Sequence, residues 1–399
     1  MFLHLDMNSY FASVEQQANP LWRNKPLGVC AYLSKNGCIL ASSIEAKKLG
    51  IKTGCTISQA KKICPNMILV ENKPYKYLST TRKIFRILKK FTDKFEPYSI
   101  DEGFLDLSGW QNNYTDAELL ANKIRLEIKQ QVGLWLKCSI GIAPTKFLAK
   151  LASDTAGKDE TLIINNNLDD VLKKLKLTDV WGIGKKTALH LNKLGIFSPL
   201  ELKNYPLENI LTSLGANGYF LWAGLNGYHV SQVKTIEESS NKSIGHSYCL
   251  PKKTTEIKYL ESVLFKLCQK TGRRLREQNS FASHVWAGYL CTNGSNHWHR
   301  QTLNKNINST AEIFYYAKKC FNKKPQENIK LLAIAVTKLS PESNQLSLFN
   351  QKNNIDKAID KINDKFGDLI IQRGKIFGLE KQALFRIGFR KTIDINFKE

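Results

Sequence analysis

Tyr98-Ser99-Ile100-Asp101-Glu102-Gly103-Phe104-Leu105-Asp106-Leu107 sets two adjacent carboxylates among apolar residues, and the chain opens with Phe2-Leu3-His4-Leu5-Asp6-Met7-Asn8-Ser9-Tyr10-Phe11. Both segments are short, rich in strand-favouring residues and followed by turn or helix formers, so each can hold its acid at the end of a strand in one sheet. Neighbouring side chains on a regular strand point to opposite faces, so Asp101 and Glu102 can serve one site only at a bend or strand end. Acids gathered in this way suit metal-dependent phosphoryl transfer. Magnesium takes oxygen ligands, and two ions about 3.5 to 4 Å apart can clamp the attacking and leaving oxygens of an in-line displacement. Taken alone, the Asp-Glu pair reads more simply as a turn with solvated acids.

Composition narrows the classes. With 399 residues, 42% of them hydrophobic, the chain has core enough for two to four domains. Lysine and arginine number 59 against 35 acids, a formal charge of +24 that fits a nucleic-acid partner. No apolar run has transmembrane length and no signal peptide opens the chain, so the expectation is no membrane and a cytoplasmic, nucleoid-associated protein. The nine cysteines are scattered singly with no Cys-x-x-Cys pair, which argues against a zinc site or a disulfide framework. His297-Trp298-His299 lacks a third ligand nearby and reads as a strand-edge cluster.

Organisation follows from where patterns break. Apolar runs at 26–31 and 37–41, then a helix-like 57–63 ended by Pro65, form a small insertion after the first strand. Residues 75–92 place Tyr77, Leu78, Thr81, Ile84, Phe85, Leu88 and Phe91 at helical intervals, and 116–131 do so with Leu119, Leu120, Ile124, Leu126 and Ile128. These helices back the acid-bearing sheet and give an α+β core. Thr178 to Ile196 carries Val180-Trp181-Gly182-Ile183-Gly184-Lys185-Lys186, a glycine-bounded turn feeding a helix; it reads as a helix-hairpin-helix element that holds a phosphate backbone without reading sequence. A basic unit over 241–345 follows. Its helix has an apolar stripe at Ile257, Leu260, Val263, Leu264, Leu267 and Leu275, with Lys266, Lys270, Arg273, Arg274 and Arg276 outside the stripe and available to DNA, and strands follow at 282–290 and 329–336. Ile355, Ala358, Ile359 and Ile362 mark a last helix before a mostly basic tail.

Several blocks in register resemble the Y-family translesion DNA polymerases. They are His4 to Glu15, Ser99-Ile100-Asp101-Glu102, Ser139 to Asp154, Val180 to Lys186 and Gln345-Leu346-Ser347-Leu348-Phe349, so the likeness covers nearly the whole chain. The resemblance implies a right-hand polymerase. Its palm would occupy 1–10 and 73–165, its fingers 11–72, a thumb with the helix-hairpin-helix 166–235, an α/β little finger 241–340 and a tail 341–399. It implies template-directed addition of dNTPs to a primer 3′ end, low-fidelity translesion synthesis in DNA repair and the SOS response, and two Mg2+ ions. Asp6, Asp101 and Glu102 match the catalytic metal-binding carboxylates, with the Met7 backbone carbonyl completing the set. Phe11 falls on the steric gate against a ribose 2′-hydroxyl. Tyr10, Lys47 and Lys158 join it at the nucleotide; Gly182, Gly184, Lys185, Lys186, Arg273 and Arg274 fall to DNA. Gln345, Leu346, Leu348 and Phe349 resemble a sliding-clamp peptide. Partners implied are primer-template DNA, dNTP, the sliding clamp and accessory subunits.

Two departures from the family pattern stand out. Ile44-Glu45-Ala46-Lys47 replaces the usual Tyr-Glu-Ala-Arg, exchanging a bidentate guanidinium for a point-charge ammonium. Ala156-Gly157-Lys158-Asp159-Glu160 displaces the triphosphate lysine by one position. The first departure leans towards the UmuC-like branch, whereas His4-Leu5-Asp6-Met7 and Ser243-Ile244-Gly245-His246-Ser247 match the polymerase IV branch. Two other readings stay open: a noncatalytic DNA-binding scaffold of polymerase-like fold, and a general phosphodiesterase or nuclease using the same ions.

Overall fold

A computed structural model describes residues 1–109, 113–235, 241–322, 324–341, 355–367, 370–379 and 382–383. The chain divides into two compact units between residues 239 and 240.

The first unit begins with strand β1 (Phe2–Met7), helix α1 (Tyr10–Ala18), β2 (Leu27–Cys30), β3 (Ile39–Ser42), α2 (Ile44–Lys48), α3 (Ile57–Ile63), β4 (Ile68–Glu71) and α4 (Pro74–Leu88). It continues with β5 (Phe95–Pro97), β6 (Glu102–Asp106), α5 (Tyr114–Gln131), β7 (Cys138–Ala143), α6 (Lys146–Thr155) and β8 (Thr161–Ile163). The helical part follows as α7 (Leu168–Leu172), α8 (Lys185–Lys193), α9 (Pro199–Asn204) and α10 (Leu207–Leu225). The acid-bearing sheet runs β5-β6-β1-β7-β8, and the insertion forms a second sheet, β3-β2-β4.

Both faces of the central strand are covered. Leu3 and Leu5 lie opposite Leu105, Ile140 and Ile142 in a core shared with α4 and α5. His4 and Asp6 face the other way, towards α6. That approach depends on Gly141, where a Cβ would stand 2.1 Å from the Ala149 carbonyl oxygen and 2.3 Å from the Ser153 nitrogen. Any side chain there would push α6 off the sheet.

The helix expected over 116–131 is present, but its buried stripe is Ala117, Ala121, Ile124 and Ile128, while Leu119 and Leu126 are exposed. Small alanines allow close packing, and the bulkier leucines face solvent instead. The insertion strands and the helix at 57–63 form as expected.

The second unit has β9 (Ser243–Thr254), α11 (Ile257–Glu277), β10 (Ser280–Cys291), β11 (Asn296–Ile307), α12 (Thr310–Ala317), β12 (Ile329–Pro341) and α13 (Ile355–Phe366). Its antiparallel sheet runs β11-β10-β12-β9, so His297, Trp298 and His299 sit on an edge strand. The α11 stripe Leu260, Val263, Leu264, Leu267 and Leu275 is buried as expected.

Two cations expected to face DNA from α11 do not. Lys266 is buried and donates to the Leu379 carbonyl at 2.6 Å, and Arg276 is buried against Asp360 at 2.6 Å. Helix α13 forms as expected, but its fully buried residues are polar: Asp356 and Asn363 are buried, Ile359 and Ile362 are half-buried, and Ile355 and Phe366 are exposed. Among the described residues, no helix is long and apolar enough to cross a membrane.

Candidate active site

The two decisive segments pair directly. Strands β1 and β6 run antiparallel with Asp6 opposite Glu102, and the Met7 amide donates to the Asp101 carbonyl at 2.9 Å. Asp101 lies in the bend just before β6 starts, the position at which two adjacent acids can turn towards one place. Burial and the neighbouring Asp101 push the Asp6 carboxyl up to about 8. Asp101 is also raised, by burial, although Ser99 Oγ donates to it at 2.5 Å and opposes the shift.

Glu102 stands on different terms. Burial opposes its ionisation, but His4 and Lys150 hold it down at about 2. Lys150 Nζ lies 2.8 Å from Glu102 and 2.7 Å from Asp154, and burial does not overcome these two acids in keeping its charge. His4 is fully buried and held neutral, at about 4, chiefly by burial; its Nδ1 meets Ser153 Oγ at 2.6 Å and its Nε2 stands 3.3 Å from Glu102. Of the three expected metal ligands, Asp6 and Asp101 thus form a close pair while the Glu102 carboxylate is drawn to Lys150 and His4. Among the described residues, no three His, Cys, Asp or Glu side chains are grouped so as to surround an ion. The donor chemistry nevertheless fits a divalent cation: two half-buried hard-oxygen donors disfavour one another's ionisation, and among the described ion pairs neither is matched by a lysine or arginine.

Lys47, next to the end of α2, feels Lys158 as well as Asp6 and Asp101, and burial together with Lys158 lowers its pKa. Of the two expected phosphate cations, Lys47 therefore lies beside the acid pair, and Lys158 lies near Lys47. Tyr10 and Phe11 open α1. The Tyr10 hydroxyl donates to the Tyr77 carbonyl at 2.8 Å and meets Thr81 Oγ1 at 2.8 Å, and burial raises its pKa. The Phe11 ring stacks on Tyr77, with centroids 4.4 Å apart and planes 16° off parallel. Tyr77 thereby fixes the Phe11 ring, and Tyr10 holds Tyr77 in turn through its backbone carbonyl.

The turn between β1 and α1 is pinned from three sides. Asn8 donates from Nδ2 to Ser139 Oγ at 2.9 Å and accepts at Oδ1 from the Asp159 amide at 3.0 Å, and its carbonyl accepts from Ser13 Oγ at 2.7 Å. Ser9 then takes a left-handed φ of 50°, which a non-glycine residue holds only when its surroundings impose it. Asn8, Lys150, His4 and Tyr77 were not singled out as site residues from the sequence. The Lys150-Asp154 spacing of four on a helix was the one local signal for any of them.

In the helical part, Gly182 adopts φ +94° and Gly184 precedes the first turn of α8. Gly182, Gly184, Lys185 and Lys186 are all exposed, so the amides at the start of α8 are open to a phosphate. In the second unit Arg273 is engaged by Glu277 and Asp364, and Arg274 lies close enough to His246 to disfavour its protonation. Gln345, Leu346, Leu348 and Phe349 lie outside the described residues.

A β-sheet presenting buried acids, followed by a glycine-turned helix and a basic α/β unit, defines a polymerase of the right-hand class. Family models for the impB/mucB/samB family match residues 5–154, its helix-hairpin-helix motif 165–196 and its C-terminal domain 241–348. DNA polymerase IV of Bacillus velezensis is 31% identical over 402 residues, covering 98% of this chain and 96% of the relative. DNA polymerase IV 1 of Bacillus subtilis is 32% identical over 402 residues, with the same coverage. Among solved structures, a Y-family chimera of Dbh and Dpo4 shares the fold at a TM-score of 0.75 and 24% identity, over 86% of this chain and 99% of that one. DinB from Sulfolobus solfataricus matches at a TM-score of 0.55 and 25% identity, over 84% of this chain and 98% of that one.

The chain belongs to the impB/mucB/samB family of Y-family polymerases. It is a DNA-directed DNA polymerase of the polymerase IV kind, a translesion enzyme, of a family that works with metal ions.

Proposed function

We propose that the Asp6-Asp101 pair, joined by Glu102 and the Met7 carbonyl, is where this polymerase holds two magnesium ions while a dNTP is added to a primer 3′ end. The observation that carries the reading is the strand register that sets Asp6 opposite Glu102 and bonds the Met7 amide to the Asp101 carbonyl, with Lys47 near Asp6 and Asp101. Bound magnesium would supply charge for the phosphates and align the attacking and leaving oxygens. The chain's own residues do the rest. Lys47 and Lys158 draw the triphosphate to the acids, and Phe11, braced on Tyr77, rejects a 2′-hydroxyl. Lys150 and His4 hold Glu102 in reserve at the strand end. The residue bounds given above for palm, fingers, thumb and little finger are those proposed for the working enzyme.

The partners proposed are primer-template DNA, gripped at Gly182, Gly184, Lys185 and Lys186, and a sliding clamp taking the peptide 345–349. A structure of Dbh solved as an insertion ternary complex supports the DNA and nucleotide part. Primer extension with magnesium tests the reading: growth with dNTPs and not with rNTPs supports it, and no growth or shortening of the primer refutes it. In Phe11→Ala, rNTP incorporation should rise by about a hundredfold, the scale on which an apolar site rejects an added hydroxyl. Deleting 345–349 should remove clamp stimulation and spare clamp-free synthesis.

A further inference from the structure

The second unit holds a cleft that the polymerase site does not use. It has a volume of about 660 Å³ and lies between the start of α11 and the residues that follow α12. Tyr315 lines it and is 56% exposed, an unusual position for a large aromatic side chain. The Lys318 ammonium stands 6.0 Å from the Tyr315 ring centre; that of Lys319 stands 5.6 Å from the same ring and 5.5 Å from Tyr316. Lys324 also lines the cleft, and the one acid lining it, Glu261, is matched by Lys375 at 2.9 Å. The cleft is therefore a basic pocket around a presented ring, with its own acid already neutralised.

Those parts suit one chemistry better than others. An exposed aromatic face stacks any base, and ammonium groups around it meet the flanking phosphates, which is how single strands are held without sequence preference. An acidic peptide would use the lysines and leave the ring idle, and a simple solvated face would not be concave. We propose that this cleft is a second nucleic-acid site, which holds a short single-stranded DNA segment with one base on Tyr315 and its phosphates on Lys318, Lys319 and Lys324. It goes beyond the polymerase reading and does not rest on the assignment of the acids.

The test uses the full chain saturated with dideoxy-terminated primer-template, the next dNTP and magnesium, so that the polymerase site is filled. Fluorescence anisotropy then follows a labelled dT octamer. Binding is expected, with about a tenfold loss in Tyr315→Ala, retention in Tyr315→Phe and a shallower salt dependence in Lys318→Gln/Lys319→Gln. An octamer lacking bases should bind wild type as weakly as dT binds Tyr315→Ala. Four results would overturn the proposal: no octamer binding to the saturated protein, equal binding by Tyr315→Ala, equal binding of the baseless octamer, or dTMP alone binding as tightly as the octamer. Primer extension on the same variants should be unchanged, which separates failure of this site from failure of the polymerase reading.

Discussion

The two units each withdraw a pair of aspartates at least half-way from solvent, and they treat them in opposite ways. In the second unit, Asp356 accepts from the Thr310 amide at 2.9 Å and from Arg373 at 2.7 Å, with Arg276 nearby at 3.7 Å, while Asp360 takes Arg276 at 2.6 Å. Burial alone would raise Asp356, but these donors hold it below its ordinary value. In the first unit, half-buried Asp6 and Asp101 stand beside one another and Glu102; Lys150 and Lys47 lie near but do not outweigh burial and the neighbouring acids, and both aspartates are raised. A fold that merely needed its acids neutral would supply arginines, as α11 does for α13. On the proposed reading, a pair with no arginine bound to it would set stability aside for a ligand.

Breaking either cluster should have opposite consequences. Asp101→Ala should lower nucleotide incorporation by about a thousandfold or more, as loss of a metal-holding carboxylate does. The magnesium-free melting temperature should hold or rise, because the neighbour that disfavours ionisation of Asp6 is gone; a clear drop would put this pair in the same class as Asp356 and Asp360. Arg276→Met should do the reverse. Leaving Asp356 and Asp360 short of a cation should cost about 3 to 5 kcal/mol, read as lost hydrogen-exchange protection in α13, with single-nucleotide incorporation on bound primer-template nearly unchanged. Unaltered protection would mean that α13 is held by something other than its ion pairs.

The smallest effect is the most diagnostic. Asp6 titrates near 8 in the fold against an ordinary 3.8, so between these values the folded chain binds more protons than the unfolded one. Its contribution to metal-free stability therefore falls as pH rises through that window. Glu102, held near 2 against 4.5, behaves oppositely: its contribution is present above 4.5 and is lost as pH falls towards 2. Magnesium should abolish the Asp6 slope and release up to one proton per chain at pH 7, measurable by calorimetry in buffers of different ionisation enthalpy. Asp356 should show loss only towards acid and no response to magnesium. Binding without proton release would remove the distinction between the two pairs.

The acid segments were legible because their chemistry is local: a strand pattern, a bend and a carboxylate at its edge. So were the turn at Gly182 and the apolar stripe of α11. What escaped depends on depth or on partners distant in sequence. Leu119 and Leu126 are expected inside by size, yet Ala117 and Ala121 make the contact, since close packing rewards the small residue. Arg276 looked like a surface cation because Asp360 lies 84 residues away. Lys150 carried the same ambiguity, and only the sheet register brings Glu102 to it. The apolar spacing in α13 was read correctly as helical, but Ile355 and Ala358 are exposed and Ile359 and Ile362 only half-buried, because Asp356 and Asp360 between them turn to arginines.

The tight passage from β1 to α1 works as a ruler. Asp6 and Phe11, proposed to meet the phosphates and the sugar of a nucleotide, are divided by four residues, and Asn8 nails that interval to β7 and to the backbone of Asp159. On that proposal, reading of charge and reading of sugar would be mechanically locked: a residue inserted or deleted in this span would put both out of step together.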